Sequence, residues 1–144
     1  MQKTHSHEIF VDRPMSETIG LFTPKGEESW VPDWKPVYIQ LASGKTCEEM
    51  IFTTGTGDEV TFWTCLKWQP DDGHARYLRL TPQSRLAFVD VQCRTAGTNR
   101  TRVRVGYRIQ ALTASGRAYL ETLSERKFAD MIDEWAHLIQ GLDR

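Results

Sequence analysis

The fold is decided by residues 102–142, RVRVGYRIQALTASGRAYLETLSERKFADMIDEWAHLIQGL. The first part of this stretch alternates polar or small side chains with four apolar ones: Val103, Val105, Tyr107 and Ile109. This period of two predicts a strand, Arg102–Leu112, with one buried face and one solvated face. From Ser115 the apolar period lengthens to three or four residues and continues to Leu142. The longer period predicts an amphipathic helix of about 26 residues and about 39 Å, long enough to cross a whole sheet.

The predicted helix has an apolar stripe and a polar opposite face. The stripe recurs along residues 120–142: Leu120, Leu123, Phe128, Met131, Ile132, Trp135, Leu138, Ile139 and Leu142. Charged side chains such as Glu121 and Arg126 occupy the opposite face. Thr113 or Ser115 is the expected N-cap, because a hydroxyl oxygen can accept a hydrogen bond from a free backbone N–H at the start of a helix.

Upstream of this stretch the chain begins with one strand, Thr4–Asp12, and two short helices. The first helix starts at Pro14, which suits a first helical turn, and the second spans Lys25–Val31 and ends at Pro32. Five strands follow: Val37–Leu41, Cys47–Thr54, Glu59–Trp68, Ala75–Leu80 and Arg85–Arg94. The turns between them are short, which permits antiparallel hairpins and leaves no room for crossover helices. The expected order is therefore β-α-α-β6-α, with the long helix in the concavity of a curved sheet.

The composition indicates one globular domain over residues 1–144, with 40% hydrophobic and 26% charged residues. A formal net charge of -1 argues against a general attraction to nucleic acid or anionic membranes. The three cysteines are an odd number without a CxxC pair, and we interpret them as reduced residues of a reducing compartment. The sequence shows neither an export signal nor a membrane span of about 20 apolar residues, so we predict a cytoplasmic protein.

Two segments carry a resemblance to a known superfamily. They are LFTPKGEESWVPDWKP (Leu21–Pro36) and VGYRIQALTASGRAYL (Val105–Leu120). Together with the order of elements, they make the chain resemble the helix-grip superfamily that includes START domains, the birch-pollen allergen and the polyketide cyclases (SRPBCC), over about Ser6 to Leu142. The resemblance implies an α+β helix-grip fold: a curved antiparallel sheet wrapped around a long C-terminal helix, with an internal cavity that the short helices close at one end. Members use this cavity for lipids, sterols, polyketides or aromatic molecules, and they share no catalytic motif that could be transferred to this chain.

Nine large side chains are candidates for contacting a ligand in that cavity: Trp30, Trp34, Phe52, Trp63, Tyr77, Tyr107, Phe128, Met131 and Trp135. By the resemblance, Trp30 and Trp34 lie at the rim, where flat side chains suit an aromatic ligand. Plugging the end of the core is the alternative for these two, and ordinary core packing explains the others equally well. The facing of Trp63 and Tyr77 stays open, because a shift of one residue would reverse it. A buried Tyr107 needs a hydrogen-bond partner for its hydroxyl, in the protein or on a ligand.

The ionisable side chains offer weaker patterns. His5 and His7 share a strand face, as two metal ligands can, but no spacing supplies a third ligand, so we expect no metal and no cofactor. Glu27 and Glu28 lie in the second short helix, where a carboxylate facing the cavity could act as a general base if burial raised its pKa. Asp90 is expected on the solvated face by the alternation of its strand.

Arginines mark the last strand and its neighbours: Arg76, Arg79, Arg94, Arg100, Arg102, Arg104 and Arg108. A stripe of this kind can bind phosphate groups. Alternation in a half-buried sheet also demands polar residues on the outer face, and acidic residues nearby compensate the charge. We therefore interpret the stripe as the solvated face and predict no nucleic-acid partner.

Three functions fit these observations. We favour a non-catalytic protein that binds a small hydrophobic, lipid-like or aromatic ligand in its cavity. A polyketide cyclase-like or dehydratase-like enzyme is the first alternative, and an ionisable group buried against the ligand would distinguish it. A protein-interaction module, like the chaperone activators that resemble this superfamily, is the second, and a contiguous apolar patch outside the sheet would distinguish it. A homodimer is the default expectation for a small domain.

Overall fold

The chain folds around a seven-stranded antiparallel sheet, which the computed structural model describes with its helices over residues 1–40 and 42–143. The strands are β1 (Gln2–Val11), β2 (Val37–Gln40), β3 (Ile51–Thr54), β4 (Thr61–Gln69), β5 (His74–Thr81), β6 (Arg85–Gly97) and β7 (Arg100–Ala111). The helices are α1 (Met15–Thr18), α2 (Pro24–Glu27), α3 (Ala114–Thr122) and α4 (Glu125–Gln140), with 3-10 turns at Ile19–Phe22, Gly57–Glu59, Pro70–Asp72 and Gly141–Asp143. The spatial order β1-β7-β6-β5-β4-β3-β2 is a meander closed by β1 against β7. The predicted α+β order of elements is confirmed.

Strand β7 buries the side that its alternation predicts. Val103, Val105 and Ile109 are at most 2% exposed and Tyr107 is 8% exposed, whereas the intervening arginines are exposed. The alternating residues of β6 are buried on the same inner face: Ala87, Val89, Val91 and Cys93. Asp90 therefore points outward, as predicted, and its carboxylate lies 2.8 Å from the His74 ring.

The C-terminal helix is broken, which corrects the prediction of one continuous helix. Leu123, between α3 and α4, adopts φ -87° and ψ 80°, and the Ser124 hydroxyl then accepts a hydrogen bond from the backbone N–H of Lys127 at 3.0 Å. Ser124 thus caps a new helix, and a capping hydroxyl competes with continuation of the old one. Thr113, one of the two predicted caps, caps α3 in the same way. In the described part of the chain, no helix is long and apolar enough to cross a membrane.

Side chains of β1 bond to the region of the break and to α4. The Lys3 ammonium donates to the carbonyl of Leu123 at 3.3 Å, and the His5 ring Nε2 lies 2.9 Å from the same oxygen. The His7 ring Nε2 lies 2.7 Å from a carboxylate oxygen of Asp133 on α4. The two histidines that share a face of the first strand therefore join that strand to the C-terminal helices.

Helix α2 and strand β3 are shorter than predicted. Helix α2 ends at Glu27, one turn earlier than expected. Strand β3 starts only at Ile51, because Glu49 holds a φ of +69° that an extended strand does not accommodate. Strand β2 is described to Gln40, and Leu41, its predicted last residue, lies outside the described residues.

Candidate ligand-binding cavity

A cavity of about 150 Å³ lies between the sheet and the helices, partly open to solvent. Its sheet side is formed by inward side chains of β3 to β7, and its other side by residues 22–34 and Trp135 of α4. The meander places these strands side by side, so residues far apart in the sequence share one concave face. This is the position that the resemblance implied for an internal cavity.

Seven of the nine candidate side chains line this cavity: Trp30, Trp34, Phe52, Trp63, Tyr77, Tyr107 and Trp135. The other two, Phe128 and Met131, do not line it. Phe128 is buried in the core, where it stacks on His5 at a centroid distance of 5.5 Å and meets Tyr107 edge-on at 5.2 Å. Met131 is half-buried against the core. Both side chains belong to the apolar stripe, but the packing of α4 against β1 leaves only Trp135 of α4 at the cavity.

The strand register settles the facing of Trp63 and Tyr77, which the sequence left open. Phe52 pairs with Trp63, and Trp63 pairs with Arg79, so these three side chains project to the same face. The Phe52 and Trp63 rings stack at 5.5 Å with an interplanar angle of 9°. Tyr77 lies two residues before Arg79 on β5 and faces the same way, at 4% exposure. Both aromatic residues therefore face inward.

Aromatic side chains from the segment after α2 close the cavity over the sheet. Trp30 meets Trp135 edge-on at 5.9 Å, which joins this segment to α4. Trp34 meets Trp63 edge-on at 5.8 Å, which joins the same segment to β4. Contacts of this geometry add to the burial of large apolar rings. Trp30 and Trp34 therefore line the cavity and, through their ring contacts, also fill space at the end of the core.

The polar atoms of four aromatic side chains at the cavity are already bonded within the protein. The indole N–H groups of Trp30 and Trp34 donate to backbone carbonyls at 2.8 and 2.9 Å. The Trp63 indole N–H donates to the Thr54 hydroxyl at 3.0 Å. The Tyr77 hydroxyl donates to a backbone carbonyl of the Ile19–Phe22 turn at 2.9 Å. These bonds fix the rings and leave their apolar faces as the surface that a ligand would meet.

Two charged residues also line the cavity, and the sequence did not place either of them there. Glu27 was a candidate acid of unspecified facing, and α2 directs it to the cavity, where it is half-buried. Arg79 was assigned to the outer-face arginines, which is wrong: it shares the inward face of β5 with Tyr77. Its guanidinium lies over the Trp63 ring at 4.6 Å. Residues two apart on a strand share a face, so an inward Tyr77 would have predicted an inward Arg79. The sequence left the facing of Tyr77 open, and the signal could not be used.

Burial changes the pKa values of the ionisable groups around the cavity. Desolvation raises the pKa of Glu27 from an ordinary 4.5 to about 8, against the opposing effect of the positive charge of Arg79. Desolvation also raises the pKa of Tyr77 and of Tyr107, and Arg79 again opposes the change at Tyr107. At pH 7 the cavity therefore holds a largely neutral carboxylic acid, two neutral phenols and a charged guanidinium.

The outer face of the sheet has an apolar part and an arginine-rich part. Exposed apolar side chains on β2, β3 and β4 form what we call the outer patch: Val37, Ile39, Ile51, Phe62 and Leu66. The arginines of β7 include Arg102, whose Nε lies 3.5 Å from a carboxylate oxygen of Glu8. Arg108 stacks on the outward ring of Phe88 at 4.7 Å. These pairs support the interpretation of the arginines as a solvated face, with Arg79 as the exception.

No known family model matches this chain, and no curated protein matches it in sequence. Solved structures do match it. A point mutant of norcoclaurine synthase from Thalictrum flavum, in complex with a transition-state analogue, superposes with a TM-score of 0.69 at 10% identity, covering 100% of this chain and 98% of the other. A hypothetical protein from Helicobacter pylori gives a TM-score of 0.75 at 9% identity over 99% and 88% of the two chains. Ara h 8.0201 gives 0.65 at 8% identity over 97% and 95%.

These identities are low, so the likeness establishes the fold and leaves activity open. The matches extend over nearly the whole of both chains, as expected when the order of elements is shared. The chain therefore has a helix-grip fold, an antiparallel sheet wrapped around its C-terminal helices.

Proposed function

We propose that this protein binds a small aromatic molecule in the cavity between its sheet and α4. The observation that carries the proposal is the aromatic lining, in which the polar atoms of Trp30, Trp34, Trp63 and Tyr77 are bonded within the protein. A lining of this kind presents apolar ring faces and edges at fixed positions. Binding sites for small molecules are typically concave and mainly apolar, with a few polar groups that orient the ligand.

The volume of the cavity limits the size of the ligand. An engineered protein cavity of roughly 150 Å³ binds benzene, whereas sites for drug-sized ligands are roughly 300–1,000 Å³. A volume of about 150 Å³ therefore favours a ligand of one or two rings over a sterol or a long polyketide. Among the structural neighbours, norcoclaurine synthase has been solved in complex with dopamine and hydroxybenzaldehyde, which are single-ring molecules.

Filling the cavity tests the proposal. Val91→Phe adds a ring inside the cavity, and Val37→Phe makes the same change on the exposed outer patch. Benzoate, indole and 2-naphthol are screened by tryptophan fluorescence and native mass spectrometry. We expect at least one of them to bind. Val91→Phe should weaken that binding by roughly 10-fold or more, and Val37→Phe should leave it unchanged.

Thermal unfolding of both variants shows whether Val91→Phe is still folded. If it is destabilised, Trp135→Ala provides a second variant, which enlarges the cavity and removes one aromatic wall. Unchanged affinity in both cavity variants would contradict binding at this site. Failure of the whole panel to bind the wild-type protein would contradict the proposed function itself.

A catalytic role is the second candidate, and Glu27 favours it. A general base works best when its pKa lies near the pH of the reaction, and burial brings the pKa of Glu27 to about 8. The ionised carboxylate could remove a proton from the carbon next to the carbonyl of an aryl ketone, leaving the enolate. The protonated acid would exchange with solvent and then return a proton or deuteron to that carbon. Exchange of the methyl protons of acetophenone in D2O, followed by proton NMR, would detect this step. Exchange that is equally fast with Glu27→Gln would contradict the role.

An interaction role is supported by the outer patch. It contains exposed apolar side chains on β2, β3 and β4, and β2 is an unpaired edge of the sheet in the described part of the chain. Such surfaces commonly mark contacts with other proteins. Sedimentation of the wild-type protein and of Phe62→Lys at matched concentrations would reveal self-association through this patch. Identical monomeric behaviour of both proteins would contradict a homodimer formed there.

A further inference from the structure

The polar groups at the cavity fall into two sets, and the difference between them indicates what kind of ligand fits. Trp30, Trp34, Trp63 and Tyr77 use their polar atoms inside the protein. A second set comprises the Glu27 carboxyl, the Arg79 guanidinium and the Tyr107 hydroxyl. The Arg79 guanidinium and the Tyr107 hydroxyl share a side-chain hydrogen bond. Among residues 1–40 and 42–143, neither Glu27 nor Arg79 forms an ion pair within bonding distance, and the remaining N–H groups of Arg79 have no carboxylate partner. The second set therefore retains donors and acceptors that a ligand can use.

Arg79 holds its guanidinium at the cavity wall. The guanidinium carbon lies 4.6 Å from the centroid of the Trp63 ring, which is a cation–π contact. The donors of a guanidinium lie in its plane and match the two oxygens of a carboxylate. The Tyr107 hydroxyl is close enough to accept one hydrogen bond from Arg79, which leaves the other N–H groups of the guanidinium for a ligand. The two residues come from β5 and β7 and form one polar end of an otherwise aromatic cavity.

The charges at this end do not cancel at neutral pH. Glu27 is the acid and Arg79 the base that line the cavity. Burial keeps Glu27 largely protonated at pH 7, while an arginine side chain remains charged. A charge in an apolar site is costly unless something compensates it. The cavity thus has one uncompensated positive charge, together with a neutral acid that can donate a hydrogen bond.

We propose that the ligand is an aromatic acid whose carboxylate binds the Arg79 guanidinium and the Tyr107 hydroxyl while its ring lies against the aromatic wall. This inference rests on the proposed function and adds the charge of the ligand. It also assigns Glu27 a role as a neutral neighbour that donates to the bound carboxylate. If Glu27 were ionised, its negative charge would repel the carboxylate of the ligand.

Matched acids and amides test the proposal. Benzoate and 2-naphthoate are compared with benzamide and 2-naphthamide, which have the same shape and no charge. In calorimetric titrations at pH 7, we expect each acid to bind the wild-type protein roughly 10-fold or more tightly than its amide, because hydrogen bonds to charged groups are the stronger kind. Arg79→Gln should bring the ratio of the two affinities close to one. Arg76→Gln makes the same change on the outer face of the same strand and should leave the ratio unchanged.

The pH dependence provides an independent readout. As pH rises through about 8, Glu27 ionises and repels the bound carboxylate, so affinity for the acid should fall above pH 8 while affinity for the amide stays constant. Glu27→Gln cannot ionise and should remove this fall. A pH-independent affinity of the wild-type protein for the acid would overturn the role of Glu27.

The outcomes separate this inference from the proposed function. If acids and amides bind equally well to the wild-type protein, the inference that the ligand is an acid is wrong, but the cavity is still a ligand site. If the amides bind more tightly than the acids, the inference is overturned in the same way. If neither class binds, and Val91→Phe has no effect on any member of the panel, both the inference and the proposed function are wrong.

Discussion

Glu27 should make the protein less stable at alkaline pH, and Glu27→Gln should remove this effect. The unfolded chain releases the Glu27 proton near pH 4.5, whereas the folded chain holds it until about pH 8. Between these values the folded state binds more protons than the unfolded state, so the free energy of unfolding falls as pH rises. The loss begins near pH 4.5 and is complete above about pH 8.

The structure sets the size of this effect. A pKa difference of about 3.5, at about 1.36 kcal/mol for each pH unit, corresponds to about 5 kcal/mol. That value is an upper limit, because Glu27 is only half-buried and keeps part of its surface in a partly open cavity. We expect Glu27→Gln to be about 2–3 kcal/mol more stable than the wild-type protein at pH 9, relative to their difference at pH 4.

Urea unfolding at pH 4, 6, 8 and 9, followed by tryptophan fluorescence at constant ionic strength, measures the difference directly. Glu17→Gln is the control, because Glu17 is an exposed acid of α1, and its effect should stay within about 0.5 kcal/mol. A stability difference between Glu27→Gln and the wild-type protein that is the same at pH 4 and pH 9 would refute the reasoning. In that case Glu27 would be ionised in the folded protein at neutral pH.

Three further predictions concern packing. Phe128→Ala should cost about 3–5 kcal/mol, because the ring is fully buried, whereas Phe62→Ala on the exposed outer patch should cost under about 1 kcal/mol in the same urea titration. Gly26→Ala should lower the midpoint of thermal unfolding, because the added Cβ would collide with the backbone carbonyl of Gly20. Gly20→Ala is the control, because its Cβ would enter open space and the midpoint should not fall. Equal midpoints for the two variants would refute this contact. Tyr77→Phe removes a buried hydrogen bond of 2.9 Å and should cost about 1–2 kcal/mol in chemical unfolding, and no loss would show that the bond contributes nothing.

The strand and helix patterns could be predicted because they are local. The alternation in β7 identified its buried face correctly, and the alternation in β6 correctly placed Asp90 outside. The break at Leu123 was missed because the apolar period of the C-terminal stretch continues across it. Ser124, which caps α4, was a local signal of the break. It was missed because the apolar period alone does not distinguish a capping serine from a serine inside a helix. Polar side chains of β1 that bond to Leu123 complete the break, and their position depends on the sheet.

The facing of Arg79 shows a second limit of prediction from the sequence. Alternation states which residues share a face, but it does not state which face is buried when each side has both polar and apolar members. Polarity alone assigned Arg79 outward, and the register through Trp63 and Phe52 turned it inward. The same register settled the facing of Tyr77. A polar residue on an inward face is a candidate for function because burial of an unpaired charge is costly.

The sequence by itself determined the order of strands and helices, the apolar faces of β6 and β7, and most of the aromatic side chains that line the cavity. These follow from periods of two and of three to four residues, which are properties of neighbours along the chain. Only the tertiary structure decided that a volume of about 150 Å³ stays unfilled, and that Glu27 and Arg79 face it. A void is the small difference between the space that distant elements enclose and the volume of the side chains that enter it, and a pKa depends on how much of a group those elements bury.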